Sequence, residues 1–329
     1  MTMTSRERVL ATLNFAGPDR IPLDCWILPR SWKGREAELR AMLAAHPSDF
    51  AGAWYDNPYL AIGTYDLGTF TDAWGCEWLN LAEGIIGEVK KPVFEDYAAM
   101  RDYHWPMDTL DRGWENIAAA IEKNRDKFIL GTVGNIFERM QFLRGTEALY
   151  MDLAEECDEV YELRDRLAAF YRGIAERWVK YDVDALNFSD DWGSQRALLI
   201  RPEKWREFYK PIYKEFFAIA RDAGKHVFFH SDGYIAEIYP DLIEIGVSAL
   251  NSQVWCMGLD TVAPYAGQIT FWGELDRQHL LPYGTPADIH AAARQMKEKL
   301  YRNGGLIGQC ELDHLTSLEN AEAFFTAWE

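Results

Sequence analysis

The sequence predicts a single closed α/β barrel, and three observations lead to this prediction. The 329 residues exceed one average domain but fit the usual length of such a barrel. Short apolar runs alternate with amphipathic stretches at the spacing of strand–helix–strand units. No change of composition, low-complexity linker or internal repeat divides the chain. We therefore predict one domain over residues 1–329.

Strand and helix signals follow one another along the chain. After an N-terminal helical pattern and a strand over 19–26, residues 49–80 are rich in Gly and aromatic side chains. We interpret 49–80 as an excursion from a strand end, with a hairpin, that covers a pocket. Later strands are predicted where an apolar run stops at a polar or Gly-containing cluster, at 128–134, 185–188, 225–230, 249–251, 269–274 and 305–310. Helices are predicted at 97–125, 148–180, 202–223, 235–245 and 286–302.

Composition limits the partners and the compartment. A formal net charge of -18 argues against nucleic acid or an anionic membrane as a partner. The first ten residues are charged and lack an apolar core, so we predict no signal peptide, and no apolar run approaches a membrane span. The five cysteines are odd in number and have no framework spacing, which predicts free thiols in a reducing cytoplasm.

Polar residues collect where the predicted strands end. In a closed α/β barrel the carboxyl ends of all strands meet at one rim, where the active site is built. The residues at these ends are Asp190, Asp191, His230, Asp232, Asn251, Glu274 and Cys310. An imidazole, a thiol and a carboxylate form a donor set that suits Zn²⁺ in a three-ligand site with one open position. We predict His230, Glu274 and Cys310 as metal ligands, with Asp232 as the competitor of Glu274.

Each of these residues also has a purely structural interpretation. His230 could hydrogen-bond its own loop, and Cys310 could be a small buried apolar residue. Glu274 could pair with Arg277 or cap the next helix, and Asp191 could cap the helix that follows it. Taken singly, the structural and functional interpretations are balanced. Taken together on one rim, the residues favour a functional site.

Several long segments carry a family resemblance. They are SRERVLATLNFAGPDRIPLD, then DDWGSQRALLIRPEKWREFYKPIYKEFFAIARDAGKHVFFHSDGYI, WGELDRQHLLPYGTPADI and GGLIGQCELDHLTSLENAEAF. With these segments the chain resembles the uroporphyrinogen decarboxylase superfamily over nearly its whole length. The second segment is the most specific, because its order and spacing are hard to obtain by chance. The resemblance implies a (β/α)₈ barrel with its site at the carboxyl ends of the strands.

Two chemistries occur in this superfamily. The tetrapyrrole decarboxylases need no metal and carry an Arg-Gln-Ala-Gly-Arg run near the first strand, which binds substrate carboxylates. Residues 28–35 here read LPRSWKGR, so that run is absent, and Cys310 stands where the decarboxylase uses a His. The other branch comprises zinc-dependent methyltransferases that work with corrinoid proteins and bind zinc through a His-x-Cys pair and a distant Cys. The resemblance matches His230 and Cys310 to two of these ligands, while Asp232 stands at the middle position.

The resemblance and the donor set together predict methyl transfer. A carboxylate in place of a thiolate makes zinc a harder centre, better suited to the ether or phenolic oxygen of a methylated small molecule such as an aryl methyl ether. A corrinoid on a partner protein would take the methyl group, and a homodimer is a further expectation.

Roles at the predicted site follow from the same hypothesis. The acids expected to position the substrate or to move a proton are Asp190, Asp191 and Asp232. The residues expected to contact the substrate are Trp54, Tyr55, Trp74, Arg196 and Asn251.

Two alternatives to methyl transfer stay open. Decarboxylation of a porphyrinogen or another carboxylated ring would need Arg30, Arg35 and Arg196 to line the cleft. The chain could instead be a barrel that binds a small molecule or a corrinoid without performing chemistry.

Overall fold

The fold is an eight-stranded parallel sheet rolled into a barrel, with helices outside it. The structure, a computed structural model, describes residues 2–63 and 65–328. In chain order the strands are β1 (Leu23–Ile27), β2 (Phe50–Ala53), β3 (Gly68–Thr71), β4 (Glu77–Asn80), β5 (Glu88–Lys91), β6 (Phe128–Gly134), β7 (Ala185–Ser189), β8 (His226–Ser231), β9 (Ala249–Ser252), β10 (Thr270–Glu274) and β11 (Leu306–Leu312). The α-helices are α1 (Ser5–Leu13), α2 (Pro29–Trp32), α3 (Glu36–Ala45), α4 (Ile117–Lys123), α5 (Ile136–Arg144), α6 (Thr146–Glu155), α7 (Asp158–Trp178), α8 (Pro202–Phe208), α9 (Lys210–Asp222), α10 (Tyr239–Ile245), α11 (Val254–Met257), α12 (Leu259–Val262), α13 (Leu280–Tyr283), α14 (Pro286–Leu300) and α15 (Leu318–Thr326). The predicted (β/α)₈ barrel is confirmed.

The barrel strands run in the order β1-β11-β10-β9-β8-β7-β6-β2, each parallel to its neighbours. Asp49 joins the two ends of this sheet. Its backbone N–H donates to the carbonyl oxygen of Leu23 at 2.9 Å, and its carboxylate accepts the N–H of Leu23 at 2.8 Å. Arg8 and Arg20 bind the same carboxylate. A buried acid with two guanidinium partners therefore completes the ring between β1 and β2.

Side chains alternate between the inside and the outside of the barrel along each strand. One buried cluster fills the inside and includes Phe50, Phe128, Phe228, Trp272 and Ile307. The outward side chains pack against the helices, where the larger core lies. Because both faces of the sheet are covered, its strands contain the apolar runs that made most of them recognisable in the sequence.

Residues 49–80 differ from the prediction in one respect. Phe50–Ala53 is not part of an excursion but the second barrel strand, paired with β6. Its sequence, FAGA, has no run of bulky apolar residues, which explains why the pattern missed it. The excursion begins after this strand, and its hairpin continues beyond residue 80 as the antiparallel sheet β3-β4-β5.

The antiparallel sheet lies beside the rim of the barrel. Trp78 of β4 packs on Phe142 of α5, with ring centroids 4.8 Å apart. The backbone N–H of Arg30, which follows β1, donates to the carbonyl oxygen of Gly84. Because α5 follows the carboxyl end of β6, both contacts place the excursion at the end of the barrel where the polar residues were predicted.

The helices mostly follow the predicted segments. The exception is 97–125, which holds two 3₁₀ turns (Tyr97–Arg101 and Pro106–Thr109) before the short α4. Pro106 and the positive φ of Gly113 interrupt a continuous helix there. Within the described residues, no helix combines the length and the apolar character that crossing a bilayer requires.

Candidate active site at the barrel rim

His230 is the centre of the site, and Asn251 sets the state of its ring. Nδ1 of His230 lies 2.6 Å from Oδ1 of Asn251. The Asn251 amide nitrogen already donates to the carbonyl oxygen of Trp272 at 2.7 Å and to Oε1 of Gln309 at 2.9 Å. Oδ1 of Asn251 must therefore accept, so Nδ1 of His230 carries a hydrogen and donates it. In a neutral ring, Nε2 is then left as the free lone pair.

Two carboxylates face this nitrogen. Nε2 of His230 lies 3.5 Å from Oδ1 of Asp191 and 3.7 Å from Oδ1 of Asp232. The backbone N–H of Asp232 donates to Oδ1 of Asp191 at 2.9 Å, which fixes the two acids relative to each other. The three ligand atoms lie within 4.8 Å of one another, and residues 2–63 and 65–328 contain no other such group of three or more metal-ligating side chains.

The electrostatics of this group require a positive charge. A neutral Nε2 lone pair beside two carboxylate oxygens would be repulsive, so either a proton or a cation must lie between them. Burial opposes the charged imidazole, but the hydrogen bond to Asp191 and the charges of Asp232 and Asp191 raise the pKa of His230 to about 10. Burial likewise opposes ionisation of Asp191, whereas its interaction with His230 lowers the pKa of this carboxyl group.

The group also fits a divalent metal ion. Oδ1 of Asp232 is a buried carboxylate oxygen without a hydrogen-bond partner in the described structure, and it faces the free ring nitrogen. Buried polar atoms are normally paired, so a carboxylate oxygen beside an imidazole can be satisfied either by the protonated ring or by a bound cation. One nitrogen and two oxygen ligands, with the remaining positions open, match the donor types that zinc accepts in catalytic sites.

Arg277 ties Asp232 to two further acids. Its guanidinium contacts the carboxylates of Asp232 and Glu311, and its Nε lies 2.6 Å from Oε1 of Glu274. Burial raises the pKa of Glu274 to about 8; Arg277 opposes this rise, and the neighbouring charges of Asp232 and Glu311 add to it. Glu274 points into the barrel, and its observed partner is Arg277, the pairing that its structural interpretation proposed.

Cys310 faces away from the inside of the barrel. Along β11, Gln309 reaches Asn251 and Glu311 reaches Arg277, so Cys310 between them points to the helix layer. Its Sγ lies 3.8 Å from Sγ of Cys25. Burial raises the pKa of the Cys310 thiol well above its ordinary value. The structure therefore does not bring Cys310 into the group around His230.

Asp190 also points outward, although its neighbour Asp191 does not. Its carboxylate accepts the backbone N–H groups of Ile136, Phe137 and Glu138, at 2.9 to 3.0 Å, and the hydroxyl of Tyr213. Burial and the charge of Glu138 raise the pKa of Asp190 well above its ordinary value, whereas these hydrogen bonds lower it. The N–H groups of the first turn lack helical partners, so the carboxyl group supplies acceptors that they need. Asp190 therefore anchors α5 to the end of β7.

The predicted substrate contacts are dispersed. Asn251 belongs to the site, whereas Arg196 is exposed on the loop after β7. Trp54 is 78% exposed. Tyr55 is buried and stacks on Trp114, and Trp74 is buried against Arg139 and Phe170. The structure thus brings together His230, Asp191, Asp232 and Asn251.

Three residues near His230 were not singled out from the sequence, and Arg277 was named only as a structural partner of Glu274. Besides Gln309 and Glu311, there is Glu138 at the start of α5, where burial and the charge of Asp191 raise the pKa of its carboxyl group to about 7. Glu138 accepts from Asn135, three residues earlier, at 2.9 Å. This spacing directly after a buried strand is a helix-start signal that could have pointed to Glu138.

A cavity of about 200 Å³ adjoins the group on the side of Arg277. The residues that line it include Gln253, Trp255, Cys256, Glu274, Arg277 and Gln278. The amide oxygen of Gln253 accepts the backbone N–H of Gly233 at 3.1 Å, which leaves its amide nitrogen as a donor. The cavity thus combines an aromatic side chain with amide groups, and it lies beside an acidic cluster that could bind a cation. Small-molecule sites commonly have these features.

Fold and site together define a (β/α)₈-barrel protein with a small-molecule site at the carboxyl-end rim and a histidine–carboxylate group that can hold a cation. Comparison with known families is more specific. The family model of uroporphyrinogen decarboxylase (URO-D) matches residues 33–329. The chain belongs to this family, as its sequence resemblance implied.

One solved structure agrees with the fold over nearly its whole length. A methyltransferase from Methanosarcina mazei is similar with a TM-score of 0.70 at 19% identity, covering 99% of this chain and 98% of that one. A 3-keto-D-glucoside 4-epimerase from E. coli has a TM-score of 0.40 at 12% identity, covering 67% and 83% of the two chains. No curated protein matches the sequence significantly.

Proposed function

We propose that this chain is a metal-dependent methyltransferase that moves a methyl group from a methylated small molecule, such as an aryl methyl ether, to a corrinoid on a partner protein. The observation that carries the proposal is the position of Nε2 of His230, which faces Oδ1 of Asp191 and Oδ1 of Asp232. Two further observations support it: the chain belongs to the URO-D family, and its fold is similar to that of a methyltransferase. Free cysteines fit a cytoplasmic location, which is part of the proposal.

His230, Asp191 and Asp232 are the residues that would hold zinc. Bound there, zinc would supply Lewis acidity toward an ether or phenolic oxygen. Asn251 keeps the proton on Nδ1, so that Nε2 is the nitrogen offered to the metal. The set predicted from sequence, His230 with Glu274 and Cys310, shares only His230 with this group, and metal analysis of variants decides between the two sets.

The substrate ring is proposed to lie in the cavity against Trp255, with its oxygen substituents facing the amides of Gln253 and Gln278. Asp191, which is 41% exposed, is the most open acid of the group and is placed to contact the substrate or to move a proton. Asp190 would act on the site only through α5, because its carboxylate is engaged by the helix and Tyr213.

Decarboxylation of a carboxylated ring is the weaker alternative. The guanidinium of Arg35 donates to three backbone carbonyl oxygens, of Ser31, Asp313 and Thr316. Arg277 is shared by three carboxylates, and Arg196 is exposed on a loop. A ring with several carboxylates would therefore meet an acidic rim.

The test has two parts. Protein purified without chelator should contain one zinc ion per chain, and His230→Ala and Asp232→Asn should lose it. Cys310→Ala and Glu274→Gln should keep it; loss of zinc in these two variants would instead support the ligand set predicted from sequence. Absence of zinc from the unaltered protein would remove the proposal.

The second part measures the reaction. 2-Methoxyphenol and chemically reduced cobalamin should give catechol and methylated cobalamin with the unaltered protein, followed by absorbance, and not with His230→Ala. Turnover of uroporphyrinogen that survives chelation would favour the decarboxylase alternative. Affinity for 2-methoxyphenol without turnover, unchanged in His230→Ala, would favour a barrel that only binds.

A further inference from the structure

We propose that Arg277 is a positioning residue for the metal site, holding Asp232 so that its Oδ1 is presented to the cation. This inference rests on the proposed function, because it concerns the same His230–Asp191–Asp232 group. It assigns Glu274 and Glu311 the task of holding Arg277.

Arg277 is the common partner of acids from three different elements. Asp232 follows β8, Glu274 ends β10 and Glu311 lies in β11. The guanidinium contacts one oxygen of each, through Nη2, Nε and Nη1 respectively. A planar guanidinium can present donors in three directions at once, whereas a lysine ammonium acts as a single point charge on a flexible stem. The Arg277 side chain is only 20% exposed, so packing also restricts it.

The two carboxylate oxygens of Asp232 have different surroundings. Oδ2 contacts Arg277, and Oδ1 has no hydrogen-bond partner in the described structure while it faces His230. The backbone N–H of Asp232 in turn holds Oδ1 of Asp191. A displacement of Asp232 would therefore disturb both carboxylate ligands at once. Groups that hydrogen-bond to ligating carboxylates orient them in this way at metal sites.

Arg277 affects a bound cation in two opposing ways. Its positive charge repels the cation, so charge alone predicts tighter binding when Arg277 is removed. Its contacts orient Asp232, so positioning predicts weaker binding. The positive charge is already matched by the acids around it, and without it Asp232 and Glu311 would repel each other and separate. We therefore expect positioning to dominate.

The experiment compares zinc affinity, measured by competition with a chromophoric chelator, in the unaltered protein, Arg277→Met, Arg277→Lys and Arg206→Met. Arg206→Met is the matched control, because Arg206 also pairs with a carboxylate, Asp241 at 2.9 Å, but on the outer helices. Arg277→Met should bind zinc roughly 10–100-fold more weakly. Arg277→Lys should recover less than half of that loss on a logarithmic scale, and Arg206→Met should bind like the unaltered protein.

The absorption spectrum of bound Co²⁺ gives a second measurement, independent of turnover. Loss of one carboxylate ligand should change the intensity of its visible bands in Arg277→Met but not in Arg206→Met. Circular dichroism confirms that each variant is folded. Should Arg277→Met bind zinc as tightly as, or more tightly than, the unaltered protein, the role of Arg277 is refuted while the metal site stands. Full recovery by Arg277→Lys would also refute it, and an unaltered protein that binds no zinc would remove both proposals.

Discussion

Nδ1 of His230 donates to Oδ1 of Asn251 across 2.6 Å, and this contact between neighbouring strands determines which ring nitrogen faces the acids. The orientation of Asn251 is itself enforced by two acceptors, the carbonyl oxygen of Trp272 and Oε1 of Gln309. The tautomer of the histidine is thus set by a chain of hydrogen bonds that crosses β8, β9, β10 and β11. A metal ligand with this kind of support needs little reorganisation on binding.

Asn251→Ala tests that support. The ring of His230 would be free to rotate and to exchange tautomers, so zinc affinity should fall about tenfold or more. Two acceptors would also lose their buried donor, which should cost about 1–3 kcal/mol of unfolding free energy. Zinc competition and urea denaturation measure the two effects. The surface variant Asn124→Ala, whose amide caps α4, should leave zinc affinity unchanged; equal affinity in both variants would contradict the assigned role.

Asp190→Asn tests the anchor of α5. An asparagine would turn an amide nitrogen toward N–H groups that need an acceptor. We expect a loss of about 2–4 kcal/mol in unfolding free energy, measured by urea denaturation. Tyr213→Phe removes one donor and keeps the carboxylate, so its loss should be smaller, about 1–2 kcal/mol. A larger effect for Tyr213→Phe than for Asp190→Asn would show that the helix contacts contribute little.

Trp255→Leu tests the proposed substrate cavity. Loss of the aromatic wall should weaken the binding of 2-methoxyphenol roughly tenfold, as measured by calorimetry on zinc-loaded protein. Trp54 is the matched control, since it follows β2 at the same end of the barrel but is 78% exposed. Trp54→Leu should bind the probe normally. If Trp54→Leu instead binds the probe weakly and Trp255→Leu binds it normally, the substrate lies against Trp54, the contact predicted from the sequence.

Asp19 gives the protein a defined loss of stability in acid. The hydrogen bonds from Arg8, at 2.6 and 3.1 Å, lower the pKa of Asp19 to about 2. A carboxyl group whose pKa is depressed in the folded state stabilises it above its unfolded pKa, near 4, and this contribution disappears as the pH falls toward 2. Asp19→Asn should therefore cost about 2 kcal/mol at pH 7 and almost nothing near pH 2.

Urea denaturation between pH 2 and 7 measures this difference. Asp111→Asn is the control, because Asp111 pairs with Arg177 but is 85% exposed, and exposed pairs contribute under about 1 kcal/mol. A difference between Asp19→Asn and the unaltered protein that does not depend on pH would contradict the pKa assigned to Asp19.

Much of the fold could be predicted because buried parallel strands leave a strong pattern. The segment 128–134 was predicted with the bounds that β6 has, whereas FAGA of β2 was too short and too small to stand out. The site is less well predicted. The sequence places every strand-end residue at the rim, but side chains alternate along a strand, so Gln309 and Glu311 face the inside while Cys310 does not. The same alternation separates Asp190 from Asp191. The pairing of Arg277 with Glu274 was one of the interpretations open from the sequence, whereas the contacts of Arg277 with Asp232 and Glu311 form only in the folded chain.

The position of Asp49 has a consequence for how this protein can vary. Asp49 links β1 and β2 at their amino ends, and its carboxylate is bound by Arg8 and Arg20. The candidate site lies at the opposite, carboxyl end of the strands. Loops at that end can therefore be exchanged for others without breaking the contacts that close the barrel.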